Sequence, residues 1–274
     1  YLKVFHEVRA NRARSPRPRH TYIEHVKTVT DFKLPELKLD HMIMLTNDTG
    51  ILQHAVHTVP NRHHGYCTDD NARALIVAAM AKEYPLAGSR DLDYLTNNYL
   101  GFLQYAFDLE KGRFRNFMTY DRRWVEETGS EDAHGRALWS LGKAVQYLDH
   151  SGQTALATNL FKEALKAVEH FHSPRALAFS LLGLHAYLKK FSGDSDVRRI
   201  LEIISLRLYD QFKGNAKPDW PWLEEALNYV NGKLSHALLL SGQLMQNRDM
   251  IDMGLQSLTW LVEIQTDNEH FSPV

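Results

Sequence analysis

The chain has 274 residues, 44% hydrophobic and 24% charged, with a mean hydropathy of −0.39 and a formal charge of −1. That charge gives no general attraction for a phosphate backbone, and no apolar stretch approaches the roughly 20 residues of a membrane-crossing helix, which disfavours nucleic-acid-binding and membrane-spanning proteins. Cys67 is the one cysteine, so no internal disulfide can form, and we expect a protein of a reducing compartment such as the cytoplasm.

The first thirty residues differ from the rest in charge. Residues 1–30 carry seven basic and two acidic side chains, a local sum of +5, and include Pro16 and Pro18. This composition is typical of a solvated linker, and an RNA-binding arm is the alternative. We therefore predict that residues 1–33 are the end of a preceding module and a basic linker, and that residues 34–274 form one domain.

From about residue 68 onward, apolar residues recur at steps of three and four. This spacing predicts eight helices, at 70–83, 91–108, 133–149, 153–171, 175–191, 196–212, 231–246 and 248–265. Gly, Ser and Pro in the breaks predict short turns, so the helices should form four antiparallel hairpins. Residues 112–125 predict a small β-hairpin, residues 40–59 are ambiguous, and long alternating strands are not expected.

The first helix of each hairpin opens in a similar way, with a polar start, a cation and an apolar run that contains small residues. The cations are Arg73, Arg136, Arg175 and Lys233. Repeated hairpins of unequal length indicate a helical array or a closed α/α toroid. Long aromatic-rich connections at 58–68, 112–130 and 214–228 favour the toroid. The predicted fold class is all-α, an α/α helical-hairpin toroid whose leading helices form a crowded inner ring.

In such a ring the leading helices run parallel, so their N-termini share one rim. The unpaired N–H groups there favour carboxylates and ligand oxygens. Pairs of acidic residues at two helix starts therefore predict catalytic carboxylates for glycosyl transfer, acting as acid and base or as acid and nucleophile: Asp69, Asp70, Glu131 and Asp132. First-turn stabilisation beside N-caps at Thr68 and Ser130 is the alternative for each.

Sugar recognition needs aromatic faces for the pyranose ring and fixed polar groups for its hydroxyls. The predicted substrate-binding residues are Tyr66, Arg73, Tyr120, Trp124, His134, Arg136, Asp219, Trp220, Trp222 and Glu224. His134 is also a candidate general base, with a buried, hydrogen-bonded histidine as the alternative.

Cofactor signals are weak. His54, His57, His63 and His64 lie close in sequence, but no cysteine or carboxylate joins them at a recognised ligand spacing. The sequence also has no glycine-rich phosphate loop. We expect neither a metal nor a cofactor.

Four strings carry a family resemblance: LKLDHMIMLTNDTGILQHAVHTVPNRHHGYCTDDNARAL, SEDAHGRALWSLG, KPDWPWLEEALNYVNGKLSHALLLSG and EHFSPV. They resemble the α/α-toroid region that follows a group-1 (GT-B-type) glycosyltransferase module in many bacterial proteins, over residues 34–274. The resemblance implies a six-hairpin, glycosidase-like barrel, a carbohydrate substrate and a glycosyltransferase module in the same full-length chain, with residues 1–12 as its last helix. Because the family pattern continues past EHFSPV, it also implies an incomplete or truncated ring.

The first hypothesis is therefore a carbohydrate-active toroid that works with a glycosyltransferase and uses carboxylate acid/base chemistry on an oligo- or polysaccharide. A non-catalytic glycan-binding scaffold is the second hypothesis. The third is a sugar epimerase, which would require paired histidines at the rim.

Overall fold

The computed structural model describes residues 37–84, 89–267 and 270–272 of the chain. Apart from residues 37 and 38, these residues belong to a compact unit that begins at Leu39. The predicted module end and linker at 1–33 lie outside the described residues.

Helices dominate the described part of the chain, as the sequence predicts. A short helix α1 (Asp40–Leu45) precedes four hairpins of long helices. The hairpins are α2 (Thr68–Ala81) with α3 (Ser89–Ala106), α4 (Glu131–Tyr147) with α5 (Ser151–Val168), α6 (Pro174–Lys190) with α7 (Ser195–Asn215), and α8 (Asn231–Met245) with α9 (Arg248–Gln265). All eight predicted helices are present, and most of their ends are displaced by one to three residues.

The hairpins stack in chain order in two layers. The leading helices α2, α4, α6 and α8 pack side by side, each against the next, while their partners α3, α5, α7 and α9 form the second layer. This alternation of inner and outer helices is the arrangement of an α/α toroid, which confirms the predicted fold class.

The inner helices α4 and α6 approach each other at backbone distance. A Cβ atom built on Gly142 would lie 2.1 Å from the carbonyl oxygen of Gly183, and one on Gly183 would lie 2.6 Å from the carbonyl oxygen of Leu138. Gly135 meets Ala176 in the same way near the start of the pair. Gly135, Gly142 and Gly183 are therefore required at these positions, since any larger side chain would separate the two helices.

Side chains immediately before the helices fix where they begin. Ser130 accepts a hydrogen bond from the N–H of Ala133 at the start of α4, and Ser173 accepts one from Ala176 at the start of α6. The cap of α2 differs from the prediction: the sulfur of Cys67 accepts from the N–H of Asp70, whereas the predicted cap, Thr68, donates its hydroxyl to the carbonyl of Arg115.

A small antiparallel sheet lies before and between the first two hairpins. Strand β1 (Leu52–Val56) pairs with β2 (Val59–Cys67), and β2 pairs with β5 (Phe117–Met118) through Tyr66 and Met118. The ambiguous stretch 40–59 is thus a helix followed by a strand, and 58–68 is mostly a strand rather than a connection.

The predicted β-hairpin at 112–125 is present in its second part, where Met118 forms an antiparallel bridge with Trp124 and the N–H of Val125 donates to the carbonyl of Phe117. Its first part pairs elsewhere: β4 (Arg113–Phe114) pairs with β3 (Phe107–Asp108), while β5 also joins β2. The side chains of Phe114 and Met118 are both buried in the core, so burial holds the two strands in different sheets. The remaining strands, β6 (Thr266–Asp267) and β7 (His270–Phe271), form a two-stranded ladder after α9.

Among the described residues, none of the helices has the length and apolar character of a membrane span.

The close contact of α4 and α6 gives a stability prediction. Gly142→Ala should destabilise the protein by about 1–3 kcal/mol, the usual cost of overpacking, because the new methyl group meets backbone rather than a movable side chain. The matched control is Gly101→Ala in α3, where a Cβ meets nothing within 4 Å. That variant should be stabilised by roughly 0.5–1 kcal/mol, since alanine favours a helix interior over glycine. Urea unfolding measures both, and an equal effect of the two substitutions would contradict the backbone contact.

Candidate functional site

The acidic pair at the start of α4 connects this helix to the next hairpin. Glu131 accepts hydrogen bonds from the backbone N–H groups of His172 (2.9 Å) and Ser173 (2.8 Å), just before α6. Asp132 accepts from the hydroxyl of Ser173 at 2.8 Å and from the phenol of Tyr229. Glu131 therefore holds the backbone just before α6, in the hairpin that follows its own.

Asp69 lies at the same end of the inner layer. Its Oδ1 is 3.2 Å from the Nε of Arg136, whose side chain is buried, and 3.2 Å from the Nε of Arg73. Burial raises the pKa of Asp69 above its ordinary value despite these guanidinium groups, and the nearby carboxylates of Asp70 and Asp132 act in the same direction. Asp69 and Asp132 thus come from two helices and lie close enough to influence each other.

Tyr229 is a central residue of the rim that the sequence reasoning missed. Its ring lies 4.6 Å from the guanidinium carbon of Arg175 and 6.0 Å from that of Arg136, and half of the residue is exposed. Burial, together with the hydrogen bond to Asp132, raises the pKa of Tyr229 to about 12, so the phenol keeps its proton at neutral pH. Tyr229 presents an aromatic face between two cations.

Arg175 holds Tyr229 in place. The buried guanidinium makes a bidentate pair with Glu224 at 2.6 and 2.8 Å, and its Nε donates to the carbonyl of Tyr229 at 2.7 Å. The next residue, Val230, has a φ of 57°, which is unusual for a β-branched residue. This sharp backbone bend turns the chain from Tyr229 into α8.

Further along the inner helices, an aromatic and basic surface follows the rim. Trp139 of α4 stacks on Phe179 of α6 with ring centroids 5.9 Å apart, and the ammonium of Lys233 lies 4.9 Å from the Trp139 ring. We call Arg136, Trp139, Tyr229 and the groups that follow them on α4, α6 and α8 the inner face. Trp139 is partly exposed and can offer the inner face a flat apolar surface.

Two histidines lie on the inner face beyond Trp139. Burial lowers the pKa of His185 on α6 to about 4, and the neighbouring His236 on α8 contributes to the shift. Burial also lowers the pKa of His236 below its ordinary value, with smaller effects of Lys233 and Lys143. Both imidazoles are therefore neutral at pH 7, and each can accept a proton.

The spacing of residues in the sequence is consistent with this surface, although it was not among the predicted site signals. Arg136, Trp139 and Lys143 follow one another at i, i+3 and i+7 on α4, and Lys233 and His236 are three residues apart on α8. His185 and Lys189 are four residues apart on α6. Residues with this spacing share one helix face.

His134 is a correction. Its side chain is fully buried: the N–H of Phe114 donates to Nδ1, and Nε2 is 2.8 Å from the carbonyl oxygen of Ala164. Burial lowers its pKa to about 3. The predicted sugar-binding or base role is wrong, because the ring is enclosed within the core.

Two predicted stacking platforms are also core residues. Tyr66 is 1% exposed, and its hydroxyl accepts a hydrogen bond from the side-chain amide of Asn47. Trp222 is 0% exposed and packs against Phe212 and Trp260. Neither ring can reach a ligand from its buried position.

The other predicted residues are distributed over three places. Tyr120 stacks on Tyr66, and Trp124 packs against Phe102, so both lie beside the small sheet. Asp70 and Arg73 form an ion pair at 2.5 Å, and Asp70 also accepts from the thiol of Cys67.

Beyond α7, Asp219 is exposed, while Trp220 is partly buried and donates to the carbonyl of Glu224 at 2.7 Å. Several predicted site residues therefore belong to one network of contacts: Asp69, Asp70, Arg73, Glu131, Asp132, Arg136 and Glu224.

The fold has known counterparts. Neither a protein-family model nor a curated protein matches this chain. Among solved structures, a sugar epimerase from a ruminal bacterium superposes with a TM-score of 0.67 at 12% identity, covering 85% of this chain and 70% of that one. A cellobiose 2-epimerase from Spirochaeta thermophila DSM 6192 gives a TM-score of 0.64 at 12% identity, covering 83% and 67%. Both have an (α/α)6 toroid fold, so the similarity establishes the α/α-toroid fold for this chain.

The Arg175–Glu224 pair gives a second prediction. Glu224→Gln should destabilise the protein by about 1.5–3 kcal/mol, the range for a hydrogen bond to a charged group, since it leaves a buried guanidinium without its counter-charge. Glu163→Gln is the matched control, because Glu163 forms an exposed i,i+3 pair with Lys166 and should change stability by only about 0–0.5 kcal/mol. Thermal unfolding compares the variants. If the two substitutions prove equally mild, the pair does not fix the rim.

Proposed function

We propose that residues 34–274 form a carbohydrate-active toroid domain that binds a sugar on the inner face and catalyses a proton transfer on it, as a sugar epimerase does. The observation that carries this proposal is the pair His185 and His236, two neutral imidazoles on the adjacent inner helices α6 and α8, where α6 also packs against the helix that carries the partly exposed Trp139. The fold shared with two sugar epimerases supports it.

The proposed sugar position follows from the chemistry of the inner face. The apolar side of a pyranose would stack on Trp139 or Tyr229, because aromatic rings offer the flat surface that it needs. The guanidinium of Arg136 and the carboxylates of Asp69 and Asp132 would bind ring hydroxyls as donors and acceptors. These groups all lie at the rim, ahead of the two histidines.

The proposed step is an acid–base exchange at the carbon next to the carbonyl of the ring-opened sugar. One neutral imidazole removes the proton from this carbon and becomes an imidazolium, leaving an enediolate; the other imidazole, after taking up a proton from solvent, gives that proton to the opposite face, and the first imidazolium then returns its proton to solvent. The sugar then has the inverted configuration and an unchanged composition, so no oxidant or reductant takes part. Neutral imidazole suits the first half of the step, because only the neutral form has a free lone pair.

A second candidate is the glycosyl chemistry suggested by the sequence. Its support is the raised pKa of Asp69, which favours a proton donor, and the proximity of Asp132 on a different helix. Against it, Asp69 already pairs with two arginines, and Asp132 accepts from Ser173 and Tyr229. These contacts leave the carboxylates less free than the histidines.

The glycosyltransferase module in the same full-length chain belongs to the proposal as well. Its support is the family resemblance of the sequence strings. A domain of this kind would act on, or present, the sugar that the transferase uses. Sugar binding without any turnover would favour the presenting role.

Solvent exchange tests the proposed reaction. The protein is incubated in D2O with glucose, cellobiose, glucose 6-phosphate or glucuronate, and proton NMR follows loss of the H2 signal and appearance of the epimer. We expect exchange with at least one of these sugars. His185→Asn and His236→Asn should each slow it by about 10²–10⁴-fold, the usual contribution of a general acid or base.

His63→Asn is the matched control, because His63 is exposed on β2 and away from the inner helices. It should retain full exchange. The epimerase proposal fails if no sugar exchanges, or if both histidine variants exchange at the normal rate. Release of reducing ends from an oligosaccharide, abolished by Asp69→Asn, would instead support the glycosyl chemistry.

A further inference from the structure

A cavity of about 640 Å³ lies along α3, in the second helix layer. It is lined by α3, by the segment before β1 and by β5 with the residues that follow it. No described residue of α4, α6 or α8 lines it, so the cavity is separate from the inner face. Its volume lies within the range of about 300–1,000 Å³ that is typical of small-molecule sites. We call it the α3 cavity.

Two exposed tyrosines of α3 line the α3 cavity. Tyr94 is 56% exposed and Tyr105 is 59% exposed. They are eleven residues apart, close to three full turns, so both lie on one face of the helix, about 16 Å apart along its axis. Gly101 lies on the same face between them, and a Cβ atom there would meet nothing within 4 Å. The two rings therefore flank an open stretch of helix surface.

Two asparagines of α3, also in the lining, each have one side of the amide fixed. Asn97 accepts a hydrogen bond from the side-chain amide of Gln153 on α5 at 2.9 Å, and Asn98 donates to the carbonyl of Asn47. An amide has a donor group and an acceptor group. Within the described part of the chain, the NH₂ of Asn97 and the carbonyl oxygen of Asn98 have no hydrogen-bond partner. The cavity thus offers one positioned donor and one positioned acceptor.

The charged groups of the α3 cavity neutralise each other. Among its described lining residues these groups are Asp48 and Arg122, whose carboxylate and guanidinium lie 2.6 Å apart. The pair connects the segment before β1 with the residues after β5. A cavity without net charge has no preference for a phosphate or a carboxylate, so its ligand should be neutral.

We propose that the α3 cavity binds a neutral oligosaccharide, at a site distinct from the inner face. Sugar rings would stack on Tyr94 and Tyr105, because aromatic rings offer the flat apolar surface that a pyranose needs. Sugar hydroxyls both donate and accept, which matches the free groups of Asn97 and Asn98. Stacked rings lie about 4.5–7 Å apart, so one sugar cannot contact both tyrosines across about 16 Å. The ligand is therefore a chain of several sugars.

A proline-rich peptide is the main alternative ligand, because aromatic-lined grooves also bind the polyproline helix. Proline has no backbone N–H, so such a peptide offers mainly carbonyl acceptors. It would satisfy the donor of Asn97 and leave the acceptor of Asn98 unpaired. An oligosaccharide satisfies both groups, which favours it over the peptide.

Calorimetry on the whole chain tests the inference with cellohexaose, maltohexaose, mannohexaose, glucose and decaproline as probes. We expect at least one hexasaccharide to bind with a Kd of about 1 mM or lower, and glucose to bind at least about tenfold more weakly at this site. Tyr94→Ala and Tyr105→Ala should each weaken hexasaccharide binding by about 2–10-fold, the range for one stacking contact. Gly101→Leu should abolish it, because the new side chain fills the open stretch between the rings.

Tyr84→Ala is the matched control, because Tyr84 is 60% exposed and follows α2 outside the described lining of the α3 cavity. It should keep the affinity of the unmodified protein, and circular dichroism checks that every variant is folded. The inference is overturned if no hexasaccharide reaches a Kd of about 1 mM. Unchanged affinity in the Tyr94, Tyr105 and Gly101 variants also overturns it, as does decaproline binding more tightly than every hexasaccharide.

Deuterium exchange separates this inference from the proposed function. The variants of the α3 cavity should exchange small sugars at the normal rate, and loss of exchange in all of them would contradict a distinct site. Hexasaccharide binding without any exchange in the unmodified protein would remove only the epimerase proposal. Exchange without hexasaccharide binding would remove only this inference.

Discussion

The backbone contact between α4 and α6 is the constraint on which the rest of the structure depends. Gly142 and Gly183 bring the two helices so close that a single methyl group would meet a carbonyl oxygen. At this separation Trp139 can stack on Phe179, and Arg136 can lie 4.2 Å from the same Phe179 ring. The inner face is a continuous surface because the helices that carry it are in direct contact.

Polar side chains then connect each hairpin to its neighbour. Arg136 of the second hairpin reaches Asp69 of the first, and Glu131 holds the N–H groups that precede the third. Arg175 of the third hairpin reaches Glu224, in the connection to the fourth. Predicted site carboxylates such as Asp69, Glu131 and Glu224 therefore also connect the hairpins. This structural role leaves fewer carboxylates free for catalysis.

The helices could be predicted from the sequence because their apolar residues repeat over fourteen residues or more. The strands β3, β4 and β5 have only two residues each, so they carry no periodicity, and β5 pairs with β2, which is distant in sequence. Register between such segments is set by burial of Phe114 and Met118, which is a tertiary effect.

The candidate site was harder to predict for a related reason. His134 and His185 each lie on an inner helix, yet His134 is buried in the core and contacts Ala164 of α5, while His185 is close enough to His236 of α8 for the two charges to influence each other. The sequence around a single histidine in a helix does not show which residue of another helix lies next to its side chain. Tyr229 lies in a connection, where no periodicity indicates its direction, and it is positioned by Arg175 from another hairpin. Arg73 and Arg136 could be predicted because each lies five residues after the first residue of its helix.

The central claim is that a sugar binds on the inner face beside Trp139. Indole ¹⁵N–¹H NMR tests it most directly, because the chain has five tryptophans, one of which lies on the inner face while Trp222 is fully buried. On addition of glucose 6-phosphate, the account predicts that the Trp139 indole signal moves most and that the Trp222 signal stays in place. A titration that shifts Trp124 or Trp220 and leaves Trp139 unchanged would contradict it.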